Sequence, residues 1–197
     1  MIKNKIISLL LASSLIGVSL NAQSPDFDTD TFSLLGLEGG YSSLDYEGGT
    51  RLNNTQNRVS LAHAGLKLGA ETQDFRVFIS GRYYYDQNRD YDYIVAYGGE
   101  LQYKFNVAEA INFFIGANAG YASMKFRASG ETFSRTFNEP YFGGDAGTNI
   151  HMGKSVDLEI GARVMSIQGE NTINNVTYRV GNIVSGYASL IFKWQMD

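Results

Sequence analysis

From Thr31 almost to the last residue, apolar and polar side chains alternate one by one along the chain. A repeat of two is the mark of a strand whose faces meet different surroundings. The pattern occurs in eight segments, near 31–46, 58–71, 75–86, 92–105, 111–126, 140–150, 156–168 and 176–194. In the third, Phe75, Val77, Ile79, Tyr83 and Tyr85 oppose Arg76, Ser80, Arg82 and Tyr84. In the seventh, Leu158, Ile160, Ala162 and Val164 oppose Asp157, Glu159, Gly161 and Arg163. Thirteen Tyr and twelve Phe favour pleated surfaces, and 22 Gly disfavour helices, so the composition also points to an all-β chain.

The connections alternate in length. Tight links at 72–74, 106–110 and 151–155 are interleaved with longer or more polar ones at 47–57, 86–91, 128–139 and 169–175. That arrangement predicts an up-and-down meander with short turns at one end and longer loops at the other. An even strand count returns both termini to the short-turn end.

Alternation by itself leaves the inward face open. A soluble barrel of the lipocalin type would bury the apolar face and present the polar one to water. Three features predict the reverse. The polar faces are the small ones, holding Gly36, Gly40, Gly65, Gly98, Gly116, Gly120, Gly143, Gly147 and Gly161, as the narrow interior of eight strands requires. Their charges are of mixed sign, so that Glu38, His63, Lys67, Arg82, Glu100, Asp145, Glu159 and Arg163 form a candidate interior network able to neutralise itself. Aromatic residues gather near both predicted rims: Tyr83, Tyr85, Tyr93, Tyr97 and Tyr121 at the loop end, Phe75, Tyr103, Phe105, Phe113 and Trp194 at the turn end. Two such girdles are expected where amphipathic rings meet lipid headgroups. The expected fold is an eight-stranded antiparallel up-and-down transmembrane β-barrel. It must close, because hydrocarbon supplies no partners for an open sheet edge.

The first residues carry an address. Lys3 and Lys5 precede an apolar stretch from Ile6 to Leu20, and Leu20-Asn21-Ala22 offers small-residue cleavage before Gln23. This is the layout of a secretory signal peptide. The expected division is a signal peptide at 1–22, a short periplasmic lead-in at 23–30 and the barrel at 31–197, with no room for a second domain after the eighth strand.

Chemistry-bearing motifs are sparse. The chain has no cysteine, hence no disulfide or thiolate chemistry, and no Lys/Arg tract suited to nucleic acid. Ser60, His63 and Asp145 could assemble a hydrolytic triad only if the fold juxtaposed them, and no nucleophile motif supports it. Asp86, Asn88, Asp90 and Asp92 begin with calcium-loop spacing, but Tyr91 and Tyr97 occupy the positions that need Gly and Glu. Asp26, Asp28 and Asp30 fail in the same way. No catalytic, cofactor-binding or metal-binding residue is assigned, and no cofactor is expected.

The run Leu35-Gly-Leu-Glu-Gly-Gly-Tyr-Ser-Ser, the Gly/aromatic strands and the aromatic last strand together resemble small outer-membrane β-barrel proteins. The resemblance is to opacity-type proteins and to the transmembrane domain of the outer-membrane protein A family, over about Thr31 to Trp194. It implies the outer membrane of a Gram-negative bacterium, with outer-membrane lipids and lipopolysaccharide as surroundings. Phe192 and Trp194 would be the signal read by the barrel-assembly machinery, although Gln195-Met196-Asp197 follow them. The expected function is a non-enzymatic scaffold displaying four extracellular loops, serving envelope integrity or contact with an external partner. The alternatives are a narrow porin-like channel, a lipid-modifying barrel enzyme and a secreted lipocalin-like carrier.

Overall fold

The computed structural model describes residues 31–50, 53–86, 91–126, 135–173 and 176–195. They form eight strands: β1 (Phe32–Thr50), β2 (Asn53–Glu71), β3 (Phe75–Asp86), β4 (Tyr91–Ala108), β5 (Ile111–Phe126), β6 (Arg135–His151), β7 (Val156–Ile173) and β8 (Val176–Gln195). Each pairs antiparallel with its neighbour in sequence, and β1 also pairs with β8, so the sheet closes on itself. Closure removes every unpaired edge over the stretch that faces lipid. Phe32 lies opposite Gln195, which places both described ends of the barrel beside the connections at 72–74, 109–110 and 152–155. These turns are held tightly: the Thr72 amide donates to the Phe75 carbonyl at 2.8 Å, and the Lys193 amide to the Ser155 carbonyl at 2.8 Å.

At the opposite end the strands run further than their alternation predicts. Glu47–Thr50 of β1 pairs with Asn53–Gln56 of β2, leaving residues 51–52 between them. The same happens between β7 and β8, whose pairing continues to Ile173 and Val176. The segments 47–57 and 169–175, read from composition as loops, are therefore largely ladder. There the backbone pairing continues while the one-by-one alternation that reports a strand fades from the sequence. Pro140 of β6 fits this geometry: β7 first pairs with β6 at Tyr141, so the proline lies just beyond that ladder. The signal-peptide and lead-in segments, 1–30, lie outside the described residues, as do 87–90 and 127–134.

The side chains sort by face as the small, mixed-charge faces predict. In β3, Arg76, Phe78, Ser80, Arg82, Tyr84 and Asp86 are buried, whereas Phe75, Val77, Ile79, Tyr83 and Tyr85 are exposed. Ile79 is 75% exposed and Leu66 57%, while Glu38 is 5% and Arg82 2% exposed. No outward position between the two girdles carries a charge. In water this surface would be one continuous apolar patch of the kind that aggregates. That orientation overturns the lipocalin-like alternative. The girdles are present: Tyr97 stacks near Tyr121 at 6.3 Å between centroids, and Tyr103 meets Phe75 and Phe105 edge-on at 5.2 and 4.8 Å.

Candidate functional site

The lumen is filled in four layers, marked along β3 from the short-turn end by Arg76, Phe78, Arg82 and Tyr84. Alternation sends every second residue of each strand inward, and the inward glycines leave the volume that the larger side chains occupy. A Cβ on Gly98 would lie 2.5 Å from the Tyr141 hydroxyl, and one on Gly161 2.8 Å from the Tyr187 ring. Small and large positions thus interlock across the barrel.

The first layer, at the short-turn mouth, is charged. Arg76 reaches Glu71 and Asp157, and Lys104 lies 3.0 Å from Glu71. Lys193 lies 3.0 Å from Asp157, which His151 contacts at 2.7 Å. A thin apolar layer of Leu34, Phe78 and Ile191 follows.

The third layer contains the eight residues expected to form an interior network. Glu38 is its centre: it meets Lys67 at 2.9 Å, Arg82 at 2.7 Å, Arg163 at 2.8 Å and His63 at 3.3 Å. Lys67 also holds Glu159 at 2.7 Å and Glu100 at 3.6 Å, and its ammonium sits 4.6 Å from the centre of the Tyr187 ring. Arg82 reaches Glu100 as well, and Arg163 lies 3.3 Å from it. Asp145 differs from the other acids. It accepts from Gln102 Nε2 at 3.0 Å and from the Tyr187 hydroxyl at 3.4 Å, and stands opposite Arg163 in the β6–β7 ladder. Across both charged layers, Lys67, Arg76, Arg82, Lys104, Arg163 and Lys193 face Glu38, Glu71, Glu100, Asp145, Asp157 and Glu159. Six of each sign balance, which is what enclosure of so many charges requires.

The fourth layer is an apolar plug toward the outer end. Leu44, Leu61, Tyr84, Ile94, Met124, Tyr141, Met165, Ile167 and Ile183 are buried together there, none more than 2% exposed.

The hydrolytic constellation considered from sequence is not assembled. Ser60 is exposed, whereas His63 Nδ1 lies 2.9 Å from Ser42 Oγ, and Ser42 in turn bonds Ser185 at 2.8 Å. Ser42 and His63 are buried beneath the plug, 5% and 6% exposed. Of the calcium-like run, Asp86 is buried on the lumenal side and residues 87–90 lie outside the described set. Among the described residues no three of His, Asp and Glu converge in a way that would hold a metal ion. Phe192 and Trp194 point outward at the short-turn rim, 37% and 47% exposed.

Sequence reasoning assigned no role to the mouth layer or to either apolar layer. Arg76, Lys104, Asp157 and Lys193 were legible as inward positions but too distant in sequence to be joined. The apolar layers carried a signal in places where alternation fails: Ile94-Val95, Val77-Phe78-Ile79, Ile183-Val184 and Leu190-Ile191-Phe192 are apolar on both faces.

Comparison with known proteins agrees with this architecture. The profile of the outer membrane protein beta-barrel domain matches residues 9–186. Neisserial surface protein A is similar in structure with a TM-score of 0.58 at 16% identity, covering 83% of this chain and 97% of that one. The outer membrane protein OprG from Pseudomonas aeruginosa is similar with a TM-score of 0.51 at 9% identity, covering 83% and 97%. At such identities the likeness concerns the fold. No curated protein matches the sequence. With the matched profile spanning most of its length, the chain belongs to the outer membrane protein beta-barrel family, whose membership implies the outer membrane as its location.

Proposed function

We propose that this chain is a non-enzymatic outer-membrane scaffold. It holds four connections at the cell surface and serves envelope integrity or contact with an external partner. The observation that carries this reading is the filled lumen: two charged layers that balance each other and an apolar plug leave the barrel braced across its whole section. A cross-braced cylinder is a rigid base, and binding residues are disproportionately found on connections held by such bases. The same filling argues against the porin-like alternative, because an ion would have to cross a packed apolar layer. It argues against a lipid-modifying enzyme too, since Ser42 and His63 face no approach from the bilayer.

In this reading the signal peptide is cleaved after Ala22, and Phe192 and Trp194 on the last strand are what the assembly machinery recognises. Lipopolysaccharide and outer-membrane lipids surround the apolar band. The test has two arms. A peptide tag placed between Thr50 and Asn53 is expected to be labelled on intact cells, and a deletion strain to lose detergent resistance or surface adhesion. A deletion strain unchanged in both properties, with the tag labelled in the parent, would sink the scaffold role. Conductance steps from purified, inserted protein would favour the channel instead.

A further inference from the structure

At the short-turn mouth, five side chains form a closed hydrogen-bonded ring. Arg76 Nη1 donates to Asn149 Oδ1 at 2.7 Å, and Asn149 Nδ2 donates to Asn112 Oδ1 at 2.7 Å. Asn112 Nδ2 lies 3.1 Å from His151 Nε2, and His151 Nδ1 lies 2.7 Å from Asp157 Oδ1. Arg76 Nη2 closes the circuit by donating to Asp157 Oδ2. The direction of every bond is forced. A guanidinium can only donate and a carboxylate can only accept, so each amide and the imidazole between them must pass the polarity along. His151 must therefore accept at Nε2 and donate at Nδ1, which is the neutral ring in one tautomer.

A second proton on the imidazole has no place in this circuit. It would set Nε2–H against the Asn112 amide N–H. Turning Asn112 to offer its oxygen would bring its N–H against that of Asn149. Turning Asn149 as well would bring its N–H against Arg76, which has no acceptor to offer. We propose that the ring is an acid-sensitive latch, closed by neutral His151 and broken at one bond when that residue gains a proton.

The charges around it come from five strands, β2, β3, β4, β7 and β8. Asp157 on β7 and Glu71 on β2 are the acids at the ring, and Glu159 on β7 lies 3.7 Å from Arg76 on its inner side. Arg76 on β3, Lys104 on β4 and Lys193 on β8 are the cations, and β5 supplies Asn112. Asp157 is held by Arg76 and Lys193 as well as by His151. His151 is the member nearest solvent, its side chain 24% exposed, so protons reach it from the periplasmic side. Breaking that bond parts Asn112 of β5 from His151 at the end of β6 and loosens the turn at 152–155, while Arg76 keeps its bonds to Asn149 and Asp157. The backbone reports this directly, because the His151 amide donates to the Ala110 carbonyl and the Met152 amide to the Val156 carbonyl, each at 2.9 Å.

The test is nitrogen NMR and amide exchange on the full barrel in detergent micelles. At about pH 7.5 the His151 ring should show its proton on Nδ1, the less common tautomer. Taking the sample to about pH 5, across the range where imidazoles titrate, should speed exchange at His151 and Met152 roughly tenfold beyond the intrinsic change, the loss of about one hydrogen bond. His151→Gln offers a donor and an acceptor and cannot titrate, so it should keep the slow rates at both pH values. Asn112→Asp accepts from both neighbours and should remove the acid response by accommodating the second proton. The proposal is overturned if the ring proton sits on Nε2 at neutral pH, or if wild type and His151→Gln respond alike to acid. The tautomer measurement needs no variant, so it decides the matter even if a substitution prevents folding.

Discussion

Lys67 is held by Glu38, Glu100 and Glu159 in the barrel interior, with its side chain 1% exposed. A buried ion network of this sort adds little net stability when complete, but removing one member strands its partners. Lys67→Met should therefore destabilise the barrel by about 3–5 kcal/mol, read as a lowered midpoint in denaturant unfolding from micelles. Adding Glu159→Gln to that variant should restore part of the loss; a double variant no more stable than the single one would mean that the pair is not coupled. Gly161 makes the steric version of the argument. A Cβ there would lie 2.8 Å from the Tyr187 ring and 3.1 Å from the Ala146 carbonyl. Gly161→Val should cost about 1–3 kcal/mol through overpacking, whereas Gly186→Val, where a Cβ meets nothing within 4 Å, should cost much less.

Among the elements, β3 was predicted with the bounds it has, Phe75–Asp86, because it lies within the stretch where its two faces meet lipid and lumen. β6 was not: it begins at Arg135, and the ladder before Pro140 lacks the alternation that betrays a strand. The expectation for the lipid face is quantitative. Ile79 pairs with Leu68 and Gly99 near the middle of β3 and is 75% exposed. Ile79→Arg should destabilise the inserted barrel by about 2–4 kcal/mol, as for a cation near the bilayer midplane, with the cost falling toward the rims. The same substitution leaving folding into bilayers unchanged would contradict contact between this face and hydrocarbon.

At the scale of the whole barrel, the decisive feature is the stacking of layers. Charge at the mouth meets charge at the centre where Arg76 lies 3.7 Å from Glu159, and the apolar plug caps both toward the outer end. Purified protein reconstituted into planar bilayers should be electrically silent. Unboiled protein should migrate differently from boiled protein on a gel, as a closed barrel that resists detergent does. Steps of current that respond to neutralising Arg82 or Glu100 would show that the plug is not closed.

The amino-acid order alone determined the strand count, the up-and-down path and the sidedness of each strand. These follow from a local rule, since neighbours in sequence take opposite faces and a small interior selects glycine and paired charge. Only the tertiary structure decided which inward groups meet. Glu38 and Arg163 are 125 positions apart, and Arg76 and Asp157 are 81 apart, yet each pair is in contact. Strand tilt and register set those meetings, and both are properties of the closed ring that no single segment encodes. The apolar plug escaped for a related reason. A residue facing lipid and one sealed inside a lumen are equally apolar, and only closure of the cylinder tells them apart.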